Sequence, residues 1–205
     1  MRMFRLAAGL LLALTAAACL PVTTKTPVGT TAGLVNDPAL EGLWISRPSE
    51  GDKEISYLHF VPTDKGYTLV GVTPHQGKTN ASWGVYHLTT ATLGGNHYIN
   101  AIEVSDDEKP AAPEKQVIIP LLYTMKGDTL TISLLDEDKM KAAVAAHHIA
   151  AVVNKSYYGK MEMDDIEITA DAAHLDAFFA KPDAAGLFKP LLILKKVDES
   201  ALPAP

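Results

Sequence analysis

Apolar and polar positions alternate with a period of two through most of residues 42–135. This alternation is typical of strands that bury one face and expose the other. The alternating runs are rich in β-branched and aromatic residues, and short segments of turn composition join them. They lie at residues 42–45, 54–61, 67–72, 82–93, 97–104, 116–125 and 129–135. Consecutive strands joined by short turns predict an antiparallel meander.

Helical patterning follows the last of these strands. Asp136 or Asp138 is placed to cap a helix of alanine and lysine, which are strong helix formers, and we expect that helix to run through His147. A short strand is predicted near residues 165–169. Asp171 then caps a second predicted helix.

The second helix carries a buried stripe, because Leu175, Phe178 and Phe179 have the spacing i, i+3, i+4. Residues 190–197 form a largely apolar run that predicts a central or barrel-closing strand. The predicted fold class is therefore mostly β (α+β): an antiparallel meander forming a small barrel or curved sheet, with two helices near the C-terminus.

Composition sets the predicted domain boundaries. Residues 19–37 are rich in threonine, proline and glycine without a period, which predicts a flexible tether. Residues 38–198 form a single globular β-rich domain in which the charged residues 105–115 are a surface loop. Residues 199–205 are a loose tail.

The N-terminal segment has the parts of a secretory signal peptide. Arg2 and Arg5 give it a basic start, residues 6–14 are apolar, and small residues precede Cys19. We therefore expect residues 1–18 to be removed on export. Cys19 is the only cysteine in the chain, so an internal disulfide is impossible.

The sequence Ala16-Ala17-Ala18-Cys19 resembles the lipobox of bacterial lipoproteins, although leucine is commoner in that family at the position of Ala16. The resemblance implies that Cys19 is lipidated and becomes the first residue of the mature chain. The membrane is then a partner through the N-terminal lipid. An ordinary signal peptidase site is the alternative, because Ala16-Ala17-Ala18 also has small residues at both ends.

The residue after Cys19 bears on the final membrane. Lipoproteins retained in the inner membrane of enteric bacteria often carry aspartate there, whereas this chain has Leu20. The resemblance therefore implies an outer-membrane anchor with the domain facing the periplasm. With its polar segment and the opening Leu40-Glu41-Gly42-Leu43-Trp44, the chain is similar to uncharacterised envelope lipoproteins of proteobacteria.

The net charge argues against a nucleic-acid partner, and the short apolar runs argue against a transmembrane helix after the signal peptide. The net charge is −6, and loss of Arg2 and Arg5 with the signal peptide makes it −8. Nucleic-acid binding needs clustered lysine and arginine, so we expect no nucleic-acid partner. After the signal peptide, no apolar run approaches the roughly 20 residues of a transmembrane helix.

Gly42-Leu43-Trp44 resembles the Gly-x-Trp start of lipocalins. In that family the tryptophan lies across the closed base of an eight-stranded barrel that carries apolar ligands. An indole is a large apolar group that needs one hydrogen-bond acceptor for its N–H. We therefore expect Trp44 to be a buried structural anchor at the start of the first barrel strand.

The histidines give two candidate groupings. His147 and His148 are adjacent, so on a helix they point about 100° apart and do not share a metal site as an i, i+4 pair would. His59, His87 and His97 lie on predicted strands and could converge in a barrel. Their spacing does not require it, and we expect surface or hydrogen-bonded core residues.

Motifs for chemistry are lacking. The chain has no Gly-x-Ser-x-Gly elbow and no glycine-rich nucleotide loop, so we expect no catalytic residue, no cofactor and no metal. The function predicted is a membrane-anchored, non-catalytic binding or assembly module for an envelope protein partner or an apolar ligand. The alternatives are an envelope enzyme with a histidine-containing cleft and a lipocalin-like carrier.

Overall fold

The computed structural model describes residues 22–46, 55–74, 81–104, 117–158 and 161–198. The predicted signal peptide, Cys19, the predicted loop at 105–115 and the tail at 199–205 lie outside the described residues.

The described residues form eleven strands, two α-helices and two short 3₁₀ turns. The strands are β1 (Val22–Thr24), β2 (Gly42–Ser46), β3 (Tyr57–Thr63), β4 (Gly66–Pro74), β5 (Ala81–Leu93), β6 (Asn96–Glu103), β7 (Ile118–Lys126), β8 (Thr129–Leu135), β9 (Ala151–Tyr158), β10 (Met161–Ile168) and β11 (Phe188–Lys196). The helices are α1 (Glu137–Ala145) and α2 (Ala172–Phe179), and the 3₁₀ turns are Pro38–Leu40 and Ala184–Leu187.

Within the described chain, eight strands close into an antiparallel barrel. β2 to β8 form a meander in which each strand pairs with the next, and β11 closes the barrel by pairing with both β8 and β2. Leu194 illustrates the closure, because it lies opposite Leu130 on one side and Ser46 on the other. The predicted mostly β fold with a small barrel and two helices is confirmed, and β11 is the predicted closing strand.

One cluster of apolar side chains fills the barrel interior. Its members include Trp44, Phe60, Tyr67, Leu88, Ile99, Ile119, Leu130 and Leu194, each at most 2% exposed. An eight-stranded barrel is just wide enough for side chains to fill it.

A second apolar cluster lies outside the barrel, where the helices cover β6, β7 and the start of β11. It includes Tyr98, Leu122, Met140, Leu175, Phe179 and Phe188. β7 is buried continuously from Ile118 to Tyr123 because one of its faces enters the barrel and the other lies under this second cluster. The two predicted helices therefore pack on the sheet, and Leu175, Phe178 and Phe179 are buried as predicted.

The sheet continues beyond the barrel through three further strands. β1 pairs antiparallel with β7 and parallel with β10, and β9 pairs with β10 along its full length. The sequence predicts only the end of β10, near residues 165–169, and it misses β9. Acidic residues such as Asp164, Asp165 and Glu167 obscure the strand pattern of β10, whose burial depends on α1 and β1.

The prediction of a flexible tether over residues 19–37 is wrong for residues 22–37. Val22 is 4% exposed and Val28 is completely buried. The side chain of Asn100 forms two hydrogen bonds with the backbone of Val28, at 2.7 and 2.9 Å. These contacts are long-range, so the threonine-rich composition gives no sign of them.

Gly29 brings this N-terminal segment against the barrel. It has a φ of +92°, and a Cβ atom at this position would lie 2.1 Å from the Cβ of Ala91. The carboxylate of Asp176 on α2 accepts hydrogen bonds from the N–H groups of Gly29 and Thr31, each at 2.7 Å. The compact unit therefore begins before the predicted boundary at residue 38.

Candidate functional site

Trp44 lies inside the barrel, at the end that the turn Pro38–Leu40 covers. Its side chain is 1% exposed, and the indole N–H donates a hydrogen bond to the carbonyl oxygen of Leu40 at 2.8 Å. Lys196 places its ammonium 5.3 Å from the centre of the indole ring.

Asp37 fixes the same turn. Its carboxylate accepts from the phenol of Tyr123 at 2.7 Å and from the N–H of Ala39 at 3.0 Å, and its carbonyl accepts from the phenol of Tyr67 at 2.7 Å. Burial raises the pKa of Tyr67 to about 12, and the pKa of Tyr123 also lies far above its usual value, first through burial and then through Asp37. These groups therefore act as neutral hydrogen-bond donors that hold the turn over the barrel end.

The three strand histidines are exposed, so they do not converge inside the barrel. His59 is on β3, His87 on β5 and His97 on β6, and β4 separates the first two. His97 contacts the ring of Tyr123 with 5.5 Å between ring centres, and its Nδ1 lies 3.1 Å from the hydroxyl of Thr92. The structure gives these three residues no common cleft.

A different set of histidines comes together outside the barrel. A groove of about 570 Å³ lies between the turn after α1 and one side of α2. Its apolar lining includes Ile149, Ala177 and Phe178, and its polar lining is His147, His148, Thr169, Asp171, His174 and Lys181. We call this depression the histidine groove. Its volume lies within the range of small-molecule sites.

The end of α1 places His147 and His148 at the groove. The N–H of His148 donates to the carbonyl of Ala143 at 2.9 Å, and the N–H of His147 donates to that of Val144 at 3.0 Å. This pair of bonds is a Schellman motif, which requires a left-handed residue where glycine is usual. Here His147 fills that position, with a φ of +56°.

The helix cap of α2 places the third histidine. The carboxylate of Asp171 accepts from the backbone N–H of His174 at 2.9 Å, and both of its oxygens lie 2.9 Å from Nδ1 of the same residue. The backbone bond first, and then the imidazole, hold the pKa of Asp171 below its usual range. Asp171 therefore stays ionised and orients the ring of His174.

Lys181, which follows α2, contributes an ammonium group to the groove. Its ammonium lies 5.2 Å from the centre of the Phe178 ring, a cation–π distance. Phe178 is 6% exposed, so its ring is both part of the second core and part of the groove.

The sequence misses this grouping. A continuous helix would point the side chains of His147 and His148 in different directions. Instead α1 ends at Ala145, and both residues lie in the turn that follows it. His174 comes from an element 26 positions or more farther along the chain, so no local spacing signals it. Within the described ranges, no three histidine, cysteine, aspartate or glutamate side chains are grouped to hold a metal ion.

A second depression, of about 750 Å³, lies at the rim of the barrel near Gly42 and Val61. Glu41, Asp128 and Asp198 contribute carboxylates to it, and Asp128 is paired with Lys195. It is wide and open, and His59 and Lys196 line it beside these carboxylates. The histidine groove is thus the better candidate site.

Comparison with protein-family models, with curated proteins and with solved structures found no match to this chain. In the part of the chain that the structure covers, neither helix has the length and apolar character to cross a bilayer.

Proposed function

We propose that this protein is a non-catalytic binding module of the bacterial cell envelope. Lipid on Cys19 holds it at the outer membrane, the barrel serves as a rigid scaffold, and the histidine groove receives the ligand. The observation that carries the proposal is the contrast between a filled barrel and a ligand-sized groove outside it.

The filled interior favours recognition on the outer surface. Carriers of the lipocalin type hold an apolar ligand inside the barrel. Here Trp44, Tyr67 and Phe60 occupy the interior, with exposures of 1% or less. A ligand could enter only by displacing close-packed side chains, which is unfavourable.

The groove has the features of a binding site. It combines an apolar floor with a few polar groups from separate elements, which is the usual composition of ligand sites. His147 and His148 come from the turn after α1, whereas His174 comes from α2. Rigid elements packed on the second core therefore position all three imidazoles.

The envelope location rests on the N-terminal sequence. Only two residues separate Cys19 from β1, so a lipid on Cys19 would hold the domain within roughly 10 Å of the membrane surface at about 3.3 Å per residue. Two or more acyl chains anchor a protein stably, whereas one chain does so only marginally.

Ligand binding is tested by a fragment screen with ligand-observed NMR on the chain from residue 20 to residue 205. Ala177 is exposed and lines the groove, so Ala177→Trp should fill the groove and abolish binding. Ala173 is exposed on the same helix outside the groove, and Ala173→Trp is the matched control that should retain binding. The proposal fails if no fragment binds, or if Ala177→Trp leaves fragment binding unchanged.

Lipidation is tested by intact mass spectrometry of the protein extracted from membranes. The mass should exceed that of the polypeptide from Cys19 to Pro205 by the mass of acyl chains. Cys19→Ser should remove this excess and release the protein from the membrane fraction. A wild-type protein that carries no acyl chains and is released by osmotic shock would contradict the anchored location. That result would not test ligand binding in the groove.

A further inference from the structure

We propose that the histidine groove selects a ligand with an anionic oxygen group, a carboxylate or a phosphate, attached to a flat apolar body. This inference rests on the proposed function, because it names the ligand class of the same groove. Three features of the groove carry it: a cation without an ion-pair partner among the described residues, three imidazoles in the lining and an aromatic floor.

The cation is Lys181. Among the described residues no carboxylate pairs with its ammonium, which instead lies over the ring of Phe178. The carboxylate in the lining is Asp171, and the backbone and ring of His174 already engage both of its oxygens. Asp183 lies beside the adjoining small depression, next to Lys181. Lys181 therefore forms no ion pair among the described residues, and its ammonium shares the lining with the carboxylate of Asp171.

The imidazoles add hydrogen-bond donors to the same lining. Within the described structure His147 and His148 have no side-chain hydrogen bond, and His174 uses Nδ1 toward Asp171, which leaves Nε2 for a ligand. Three of the seven histidines of the chain thus line one groove in a protein of net charge −6. Imidazole N–H groups and ammonium groups are natural partners of carboxylate and phosphate oxygens.

The floor is apolar. Phe178 and Ile149 present surface to the groove although they are 6% and 7% exposed, and Ala170 and Ala177 keep it open. A free inorganic anion would leave this surface uncovered. An apolar body beside the anionic group would cover it, which is favourable in proportion to the area removed from water.

The backbone at His147 is a further sign that its side chain is used. A left-handed conformation is unfavourable for any residue with a Cβ atom, and glycine is the residue that helix ends of this type usually have. His147 adopts φ +56° nonetheless, at the edge of the groove. Such conformations cluster at binding sites.

The test uses three probes with one ring and different charges: benzoate, benzyl alcohol and benzylamine. Phenyl phosphate is a fourth probe, which compares the two kinds of anion. Binding to the chain from residue 20 to residue 205 is followed through the imidazole carbon–proton signals in NMR titrations. The buffer holds about 0.15 M salt, which screens charges beyond roughly 8 Å. We expect benzoate to bind most tightly and to shift the signals of His147, His148 and His174 first.

Two variants report on the charge and on the donor. Lys181→Gln should weaken benzoate binding about threefold to fivefold, as for an exposed ion pair, and should leave benzyl alcohol binding unchanged. His147→Gly should also weaken benzoate binding while the protein melts no lower than the parent, so that loss of fold does not explain the result. Lys65→Gln, in the exposed turn between β3 and β4, is the matched control and should have no effect.

The outcomes separate this inference from the proposed function. If benzyl alcohol or benzylamine binds the groove as tightly as benzoate, the ligand class is wrong but the groove remains the binding site. If benzoate does not shift the groove histidines, the inference is wrong, and the fragment screen with Ala177→Trp decides separately whether the groove binds anything. If phenyl phosphate binds at least as tightly as benzoate, the anion is a phosphate rather than a carboxylate.

Discussion

At the scale of single residues, Trp44 is the largest of the fully buried side chains in the described structure. It fills the interior below the turn Pro38–Leu40, and its N–H is bonded to Leu40. Trp44→Ala should lower the free energy of unfolding by about 3 to 5 kcal/mol because it leaves a cavity and an unpaired carbonyl. Denaturant unfolding followed by circular dichroism measures this.

Trp83 is the matched control, because its side chain is 60% exposed. Trp83→Phe should change the stability by no more than about 0.5 kcal/mol. In that variant Trp44 is the only tryptophan. Its fluorescence emission should be blue-shifted and poorly quenched by iodide. A red-shifted emission that is quenched readily would contradict a buried anchor.

The left-handed backbone of His147 gives a second prediction at this scale. His147→Gly relieves a conformational cost of about 1 to 2 kcal/mol and adds a glycine entropy cost of about 0.5 to 1 kcal/mol. The variant should therefore be more stable than the parent by about 0.5 to 1 kcal/mol, as measured by denaturant unfolding. His148 has no positive φ, so His148→Gly should not stabilise. If His147→Gly and His148→Gly lowered the free energy of unfolding equally, the turn after α1 would be unstrained.

At the scale of elements, α2 joins the barrel to the outer cluster through Phe179. This ring is fully buried and lies 5.6 Å from the ring of Tyr98 and 6.0 Å from that of Phe188. Phe179→Ala should cost about 3 to 5 kcal/mol in thermal or denaturant unfolding. Ala177→Ser, on the exposed side of the same helix, should cost no more than about 0.5 kcal/mol. A Phe179→Ala protein as stable as the parent would mean that α2 is peripheral.

The N-terminal segment is a second element that α2 holds. Asp176 is 4% exposed and accepts from the backbone of Gly29 and from both the backbone and the hydroxyl of Thr31. Asp176→Ala leaves these donors without their acceptor and should cost about 2 to 3 kcal/mol. It should also speed amide hydrogen exchange at residues 29 and 31.

Asp183 is the control for Asp176, because it is exposed and makes no side-chain cap bond. Asp183→Ala should stay within about 0.5 kcal/mol of the parent. If residues 29 and 31 exchange rapidly in the parent as well, the segment is a tether after all.

At the scale of the whole molecule, three phenols link stability to alkaline pH. Burial raises the pKa of Tyr67 and Tyr98 to about 12 from the ordinary 10.0, and it raises that of Tyr123 further still. The folded state therefore keeps protons that the unfolded state loses. This contribution to stability is full below pH 10 and declines as the pH rises toward 12.

We expect the denaturant midpoint to fall between pH 10 and about 12, with tyrosinate absorbance appearing together with unfolding. The denaturant midpoint of Tyr98→Phe should fall less steeply over this interval than that of the parent, because the variant lacks one phenol with a raised pKa. Tyrosinate absorbance that appears completely before unfolding would show that the phenols are accessible in the folded state.

Local pattern was enough for most of the barrel. The strands at 129–135 and 82–93 were predicted to within one residue of β8 and β5. The cap Asp171 was predicted from residue type and position, and Asp136 was one of the two caps predicted for α1. These features depend on period, turn chemistry and capping, which act over a few residues.

The sequence by itself therefore determined the barrel strands, the cap of α2 and its buried stripe, since each is a short-range consequence of side-chain chemistry. Only the tertiary structure decided that residues 22–37 pack on α2 and β6, because Asp176 and Asn100 lie far from them in the chain. It also decided the histidine groove, where His147 and His148 meet His174. That meeting depends on where α1 stops and on how the outer cluster orients α2, and no local pattern encodes either.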